Sequence, residues 1–345
     1  MKIALVLDSR DFGGIESNIL EIAKSLNGYA VDLTVVRLTN YGSHPLITRL
    51  HEANIHTHTL NGSFSSLYRY VKTQQFDIVH SHGYKANLYS RLVCRFTRSQ
   101  SVSTFHSGDR GTGKLYLYDA LDRWTAFLSH YNICVSEPIQ SGVNGQSDVM
   151  LNAISTKDIG FEFGKQIGFV GRLSTEKAPE RFVALAEHFP NQQFAMFGDG
   201  PEYQTLAQQA PKNLTLHGHQ ADMHSVWKTI SVLILPSRKE GLPMVCLEAM
   251  LRGIPVIATD VGSIKQLIDH DIDGWVINEY CPSLFNDTLE AWLQSSQQDV
   301  NAYRLSARDK ILRHFSMREY TPKLLTQYQR LLANSSSPSK RSEYV

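Results

Sequence analysis

The stretch that decides the fold reads VLILPSRKEGLPMVCLE and occupies residues 232–248. Its first four residues are an apolar run, a polar loop follows, and the remainder has helical character, so it predicts a strand, a loop and a helix. The helix should begin near Pro243, because proline has no amide hydrogen to leave unsatisfied in a first helical turn. Another apolar run at 255–259 then starts the next strand. The stretch therefore predicts one unit of a parallel, doubly wound α/β sheet.

Short apolar runs alternate with helical patterns along the rest of the chain, in two series. The pattern is vague at 152–165, which we interpret as a crossing between two Rossmann-like domains, and ligands are expected at the carboxyl ends of the strands. We expect one domain at 1–158 and another at 159–315. A helix at about 316–332 should pack back on the first domain, and 334–345 should be a disordered tail.

The composition of the 345 residues excludes several classes of protein. The net charge is +1 and neither half is strongly basic, which argues against a nucleic-acid partner. The four cysteines form no C-x-x-C pair, which favours a reducing compartment. Neither a membrane span nor a signal peptide is recognisable. We expect a cytoplasmic protein.

The quoted stretch also suggests a binding site. The amides of Met244 and Val245, at the start of the predicted helix, would be free to bind an anion such as a diphosphate. Glu248 lies one helical turn further on and Glu240 in the preceding loop, where each carboxylate could bind vicinal hydroxyls. Two such acids beside a phosphate-binding helix terminus are typical of a nucleotide-sugar site.

Two further motifs follow predicted strands. The segment GFVGRLSTEK at 168–177 delivers Arg172 and Lys177 to a loop, where arginine can hold two phosphate oxygens and lysine supplies a point charge. The segment FGDGP at 197–201 is a tight turn whose glycines would let a base or ribose approach the backbone.

These motifs, in this order and spacing, resemble family 4 of the glycosyltransferases, which are retaining enzymes of the GT-B fold with two facing Rossmann-like domains and an interdomain cleft. The resemblance implies that Arg172 and Lys177 bind the donor diphosphate, assisted by the helix amides. It also implies that Glu248 binds the ribose and Glu240 the transferred sugar. By the same resemblance, the domain at 1–158 would bind the acceptor and the domain at 159–315 the nucleotide-sugar donor. The catalytic candidates are Arg172, Lys177, Glu240 and His106; donor binding would also involve Gly13, Gly14, Gly171, Gly198, Gly200, Met244, Val245 and Glu248.

The N-terminal half carries weaker parts of the same resemblance. The segment DFGGIE at 11–16 is similar to the glycine-rich loop of the family, which approaches the donor phosphate, and it is not the G-x-G-x-x-G fingerprint of a dinucleotide site. His106 matches the histidine that lines the sugar pocket, and His82 is a candidate on the acceptor side. Asn152 stands where the family has Asn-Gly, but Ala153 replaces the glycine.

No metal or other cofactor is expected. The run DHDIDG at 269–274 imitates the start of a calcium loop, but position twelve is Tyr280 rather than glutamate. No acidic pair of the kind used by metal-dependent glycosyltransferases is evident.

The sequence therefore predicts a metal-independent retaining glycosyltransferase that moves sugar from a nucleotide-diphosphate sugar, expected to be a UDP-sugar. The acceptor would be a saccharide or a lipid-linked molecule, and the enzyme would act in bacterial surface polysaccharide or lipopolysaccharide biosynthesis. The alternatives are a GT-B epimerase, a synthase acting on a soluble sugar phosphate, or a catalytically inactive binding subunit. Basic residues on the helix at 84–98, among them Arg91, Arg95 and Arg98, suggest peripheral contact with the anionic inner membrane; the alternative is an ordinary amphipathic surface helix.

Overall fold

The computed structural model describes residues 1–106, 114–157, 159–161 and 163–336. The chain divides into two compact units, which are Met1–Leu151 together with Met317–Val345, and Asn152–Ser316. The first boundary precedes the expected 158/159 division because Asn152 and Ile154 already bond to the second unit. The Asn152 side chain donates to the carbonyl of Leu242 at 2.8 Å, and Ile154 pairs with Ser316.

The first unit is built on one parallel sheet of seven strands in the order β3-β2-β1-β4-β5-β6-β7. Its central strands are buried along almost their whole length, which explains their continuous rather than alternating apolar runs. The strands are β1 (Lys2–Leu7), β2 (Asp32–Arg37), β3 (His56–Thr59), β4 (Ile78–His82), β5 (Gln100–Phe105), β6 (Tyr131–Cys134) and β7 (Ser147–Val149).

Helices connect these strands, and the last helix of the chain returns to this unit. A 3₁₀ turn at Thr125–Leu128 follows the fifth helix. The helices are α1 (Gly14–Leu26), α2 (Pro45–Glu52), α3 (Phe64–Gln74), α4 (Tyr84–Arg95), α5 (Lys114–Trp124), α6 (Glu137–Gln140) and, at the end of the chain, α14 (Met317–Ser336).

The second unit contains a parallel sheet of six strands in the order β10-β9-β8-β11-β12-β13. Strand β11, from the stretch that opens the sequence analysis, is buried at every residue. The strands are β8 (Gln166–Val170), β9 (Phe194–Phe197), β10 (Leu214–Gly218), β11 (Ile230–Leu235), β12 (Val256–Thr259) and β13 (Gly274–Ile277). The helices are α7 (Pro179–His188), α8 (Tyr203–Gln209), α9 (Met223–Trp227), α10 (Met244–Leu251), α11 (Ile264–Leu267), α12 (Pro282–Gln294) and α13 (Gln297–His314).

Helix α14 packs against α1, and the Ser25 and Thr321 hydroxyls lie 2.7 Å apart at this contact. The helix continues to Ser336, so the first residues of the predicted disordered tail, 334–336, are helical. The rest of that tail, 337–345, lies outside the described residues. In the part of the chain that the structure describes, no helix is long and apolar enough to cross a membrane.

Candidate functional site

The predicted donor residues of the second unit lie where the direction of strand succession reverses. Strands β8 and β11 are neighbours at the centre of the sheet, although two other strands, β9 and β10, lie between them in the sequence. In open parallel sheets, ligands bind beyond the carboxyl ends of the strands at this switch point. The loop after β8 carries Arg172 and Lys177, and the loop after β11 carries Glu240. The structure therefore brings two motifs from distant parts of the sequence to one edge of the sheet.

Lys177 and Glu240 form a direct ion pair. The Nζ atom of Lys177 donates to both carboxylate oxygens of Glu240, at 2.7 and 2.6 Å. The Ser237 hydroxyl donates to the Oε1 atom of the same carboxylate at 2.7 Å. The Glu240 side chain is only 5% exposed, so the pair is largely removed from water. The short hydrogen bonds stabilise two charges that have lost most of their hydration. Removing one partner would therefore leave the other charge buried and uncompensated.

Arg172 is in a different environment from Lys177. Its side chain is exposed, and no described residue forms a hydrogen bond or ion pair with its guanidinium group. A guanidinium without a carboxylate partner retains its full charge for an incoming anion, and its planar donors match the geometry of phosphate oxygens.

Helix α10 begins at the same edge of the sheet, directly after the loop that contains Glu240. Pro243 is the N-cap residue, as the sequence indicated. Among the described residues, nothing accepts a hydrogen bond from the Met244 or Val245 amide, as expected for the first turn of a helix. Glu248 lies one turn further along, half-buried, and accepts a hydrogen bond from the Trp227 indole at 3.2 Å. The helix terminus thus presents two amide donors and one oriented carboxylate.

Of the three glycines predicted to bind the donor in the second unit, Gly198 and Gly200 are explained by packing inside that unit, whereas a Cβ atom at Gly171 would meet only the Phe169 ring, no closer than 3.7 Å. A Cβ atom at Gly198, where φ is +139°, would lie 1.8 Å from the carbonyl oxygen of Gly171. A Cβ atom at Gly200 would lie 2.3 Å from the carbonyl oxygen of Leu173. Close contacts between backbone segments therefore require these two glycines whether or not a ligand approaches them.

The two glycines predicted to bind the donor in the first unit, Gly13 and Gly14, have no such explanation. Gly13 caps α1, where its amide donates to Glu16 at 2.8 Å, and Gly14 is the first residue of the helix. A Cβ atom at Gly14 would meet nothing within 4 Å, and at Gly13 only the Glu16 carboxylate at 3.4 Å. Both glycines are exposed, so the surface above them is open to a ligand.

Strands β1 and β4 form the switch point of the first unit, and an ion pair lies there as well. Asp8 follows β1 and Lys85 lies in the first turn of α4; their side chains are 2.7 Å apart. The Lys85 amine also donates to the Thr39 hydroxyl at 3.0 Å. Sequence reasoning missed this pair, although the same rule about the carboxyl ends of strands would have found both residues.

Three histidines form an array on β4 and directly after β5, of which His80 and His82 are buried and His106 is partly buried. The Nδ1 atom of His82 lies 2.8 Å from the Nε2 atom of His106, and the two rings are stacked. His80 is fully buried between the hydroxyls of Tyr328 and Thr104, each at 2.6 Å. His82 is also almost fully buried, and among the described residues its Nε2 atom has no hydrogen-bond partner.

Burial keeps all three rings neutral at neutral pH. Desolvation lowers the pKa of His80 to about 3 and that of His106 to about 4, with His106 adding a smaller repulsion at His80. It lowers the pKa of His82 well below its ordinary value, with further repulsion from both other rings. His82 and His106, predicted separately from the sequence, are thus hydrogen-bonded to each other.

The basic helix predicted for membrane contact differs from the expectation. Arg91 is fully buried and pairs with Asp122 at 2.8 Å, so it cannot face a lipid surface. Helical spacing placed Arg91 with Arg95 and Arg98, but it could not reveal that α5 supplies a carboxylate to Arg91 from the other side. Only Arg95 and Arg98 of this set are exposed.

The calcium-like run at 269–274 forms a turn tied by its own side chains. The Asp273 carboxylate accepts from the Asp269 amide at 2.8 Å, and Asp269 pairs with Lys310 at 2.6 Å. In the described part of the chain, no group of three or more acidic, histidine or cysteine side chains is arranged to hold a metal ion.

The strand order of the two sheets and the residues of the candidate site together define a glycosyltransferase of the GT-B fold. Comparison with known proteins identifies the family. The family model described as Glycosyltransferase Family 4 matches residues 12–145, and the family model described as Glycosyl transferases group 1 matches residues 156–308. The chain belongs to family 4 of the glycosyltransferases and is a nucleotide-sugar-dependent glycosyltransferase.

Relatives and solved structures agree with this assignment. An Escherichia coli UDP-Gal:alpha-D-GlcNAc-diphosphoundecaprenol alpha-1,3-galactosyltransferase is 26% identical over 79% of this chain and 80% of its own length. Anabaena HepE in complex with UDP-glucose has a TM-score of 0.84 and 16% identity, covering 96% of this chain and all of that one. The lipopolysaccharide outer core galactosyltransferase WaaB has a TM-score of 0.70 and 17% identity, covering 95% of this chain and all of that one.

Proposed function

We propose that this enzyme transfers a sugar, with retention of anomeric configuration and without a metal ion, from a UDP-sugar to a saccharide or lipid-linked acceptor. The observation that carries the proposal is the arrangement at the switch point of the second unit. A guanidinium (Arg172) and two helix amides (Met244 and Val245), none of them paired within the described part of the chain, lie at one sheet edge with an oriented carboxylate (Glu248). A diphosphate needs the donors, and a ribose needs the carboxylate.

The chemistry follows from these groups. As the bond between the anomeric carbon and the diphosphate oxygen breaks, negative charge develops on the leaving UDP. Arg172, Lys177 and the amides of α10 stabilise that charge without reorganising, an effect often worth several kcal/mol. The acceptor hydroxyl attacks the anomeric carbon on the face from which UDP departs, and its proton passes to the leaving phosphate. Sugar and proton are thus exchanged, and no protein nucleophile is required.

Glu240 is proposed to bind the transferred sugar through its hydroxyls. Its carboxylate already accepts from Lys177 and Ser237, so its remaining lone pairs are oriented before any ligand arrives. In the first unit, His106 is proposed to line the sugar pocket and His82 to act on the acceptor side. Gly13 and Gly14 leave open space for a phosphate.

The acceptor class is proposed from the relatives. The named E. coli relative acts on a diphosphoundecaprenol-linked sugar, and a Salmonella typhi relative, 31% identical over 33% of this chain, is a Vi polysaccharide biosynthesis protein. We propose a role in the assembly of bacterial surface polysaccharide or lipopolysaccharide, in the cytoplasm and in peripheral contact with the inner face of the membrane.

A thermal-shift panel of nucleotide sugars tests the donor assignment. A ligand at 100 times its Kd adds about 2.7 kcal/mol of stability, and a weaker ligand at the same concentration adds less. UDP-sugars should therefore raise the melting temperature more than sugars linked to GDP, ADP or dTDP. The same shift should persist in EDTA. If no nucleotide sugar shifts the transition, the donor site is wrongly assigned; if the shift requires a divalent ion, metal independence is wrong.

The stereochemistry is tested by the product. NMR of the early product of a UDP-sugar with an α-linked anomeric carbon should show an α linkage. A β linkage would contradict retention while leaving the donor assignment intact.

A further inference from the structure

The outer side of α5 and of the 3₁₀ turn after it is unusually apolar. Leu117, Leu121, Trp124 and Phe127 recur at helical spacing and are 65%, 44%, 63% and 54% exposed. We call these four residues the apolar face. Trp124 and Phe127 pack edge to face, with ring centroids 6.1 Å apart, so the face is continuous at this end. A contiguous exposed apolar patch on a folded protein marks an interaction surface.

The charged side chains of residues 116–128 lie on the opposite side, toward the body of the first unit. Arg123 pairs with Asp119 at 2.7 Å, and Asp122 pairs with the buried Arg91 at 2.8 Å. Asp122 and Arg123 are themselves buried. Across the described residues 116–128, every charged side chain is therefore engaged toward the unit and large apolar side chains face water. This is the reverse of the usual arrangement on a surface helix.

Helix α4 packs against α5, with Tyr84 stacked on Tyr118 and Arg91 paired with Asp122, and it carries exposed apolar and basic residues of its own. Leu92 and Phe96 are 42% and 69% exposed. Arg95 and Arg98 are exposed beside them. No acidic residue occurs in the sequence from 84 to 106, so the described charges on this side of α4 are basic.

We propose that the apolar face inserts into the headgroup region of an anionic lipid bilayer, with Arg95 and Arg98 contacting the lipid phosphates. An apolar helix face with tryptophan and phenylalanine, beside exposed arginines, matches the requirements of an interfacial helix. A second copy of this chain is disfavoured, because pairing two such faces would bring the arginines of both copies together. The proposal specifies the surface used for the peripheral contact proposed above, and it does not depend on the chemistry of transfer.

The tryptophans provide a direct test. The chain contains four, and Trp227, Trp275 and Trp292 are buried in the second unit, which leaves Trp124 as the exposed one. Adding phosphatidylglycerol vesicles should shift the intrinsic emission to shorter wavelength, and lipids brominated in their acyl chains should quench it. Trp124→Phe should abolish the shift while vesicle co-flotation persists. Emission that stays unchanged while the protein floats with vesicles would overturn the proposal, because another surface would then be binding.

Matched variants distinguish vesicle binding by the apolar face from non-specific binding by exposed apolar side chains elsewhere. Leu117→Ser, Leu121→Ser and Phe127→Ser combined should weaken co-flotation at least about tenfold, given the apolar area lost. The control combines Ile272→Ser, Leu284→Ser and Leu305→Ser, which are similarly exposed in the second unit, and should leave co-flotation unchanged. Equal losses in both triple variants would contradict the proposal.

The charge contribution and the alternative occupant are tested in the same preparation. Arg95→Glu with Arg98→Glu should weaken binding roughly tenfold or more, and phosphatidylcholine vesicles should bind poorly. Reversing Lys157 and Lys212, which are exposed in the second unit, is the control. A dimer in light scattering that the triple variant dissociates, with no vesicle binding, would assign the face to a second copy instead. UDP-sugar hydrolysis without vesicles reports separately on the proposed function.

Discussion

Arg172 and Lys177 lie in one loop and look equivalent in the sequence, yet the structure gives them different electrostatic environments. Lys177 neutralises a nearly buried glutamate, whereas Arg172 has no partner among the described residues. The sequence could not distinguish them, because the partner of Lys177 is 63 residues away. Substituting Arg172 should therefore affect turnover far more than folding, whereas substituting Lys177 should affect both.

Arg172→Ala should reduce transfer about 100-fold or more while leaving the free energy of unfolding within about 0.5 kcal/mol, since an exposed unpaired side chain contributes little to stability. Lys177→Ala should reduce transfer and also destabilise the second unit by about 2 kcal/mol, since it strands the Glu240 carboxylate. Steady-state kinetics and urea unfolding measure the two effects.

A double variant provides the control for that comparison. Adding Glu240→Gln to Lys177→Ala should recover most of the lost stability, because no buried charge remains unpaired, but it should not recover transfer. Near-normal transfer by Arg172→Ala would refute its assignment to the donor diphosphate.

Gly14 and Gly198 provide a second contrast between ligand binding and packing. Gly14→Ala should fold normally, since the added Cβ meets nothing within 4 Å, but it should raise the KM for the donor if a phosphate approaches this backbone. Gly198→Ala should destabilise the second unit outright, because its Cβ would overlap the Gly171 carbonyl. Thermal unfolding and donor KM, measured on both variants, separate the two cases; an unchanged KM in Gly14→Ala would remove Gly14 from the donor site.

At the scale of elements, α4 and α5 are joined by a buried ion pair rather than by apolar packing alone. The Arg91 guanidinium bonds to the Asp122 carboxylate, to the Asp122 carbonyl at 2.7 Å and to the Ser103 hydroxyl at 3.0 Å. Asn87 also donates to Asp122 at 3.0 Å. These bonds fix the rotation of α5 and so determine that its apolar side faces outward.

Asp122→Asn should therefore cost about 3 kcal/mol of stability in the first unit, because it leaves Arg91 charged and fully buried without a counter-ion. Arg95 lies on α4, as Arg91 does, but it is exposed, so Arg95→Ala should change stability by no more than about 0.5 kcal/mol. Urea unfolding followed by circular dichroism gives both values. Equal effects of the two substitutions would show that the buried pair does not anchor α5.

The elements themselves were largely predictable, and their partners were not. Continuous apolar runs such as 232–235 identify strands because both faces of a parallel sheet are covered, and Pro243 marks the start of α10 through a local property of proline. Glycine and charge motifs place Arg172 and Glu240 at strand ends by the same local rules. The burial of Arg91, the Lys177–Glu240 pair and the contact between His82 and His106 depend on long-range packing, which periodicity does not encode.

At the scale of the whole molecule, the same strand order, 3-2-1-4-5-6, recurs in both units, and the first unit adds a seventh strand. Each unit places an ion pair at its central switch point, Asp8–Lys85 in one and Lys177–Glu240 in the other. The buried titratable groups, by contrast, differ between the units. The first unit buries three histidines with lowered pKa values, and the second buries Asp273 with its pKa raised to about 6.

The two units should therefore respond to acid in opposite directions. Below pH 6.5 the unfolded chain protonates His80, His82 and His106 while the folded first unit does not, so its free energy of unfolding should fall between pH 7 and pH 5 by at least about 2 kcal/mol. Asp122, whose pKa burial raises to about 6, opposes part of this loss, because the folded state then binds a proton that the unfolded chain releases. In the second unit, Asp273 stabilises the folded state increasingly as the pH falls through 6, and nothing comparable to the histidine array opposes it among the described groups with shifted pKa values.

Urea unfolding of a Trp124→Phe variant at pH 7 and pH 5 can resolve the two responses, because its three remaining tryptophans are buried in the second unit, whereas circular dichroism reports on both units. At pH 5 the circular-dichroism transition should broaden toward lower urea while the tryptophan transition does not move down. His80→Gln, which removes one buried imidazole, should lessen the acid response of the first unit, and Asp273→Asn should abolish the acid gain of the second. A first unit that is more stable at pH 5 than at pH 7 would contradict the neutral state assigned to the histidines.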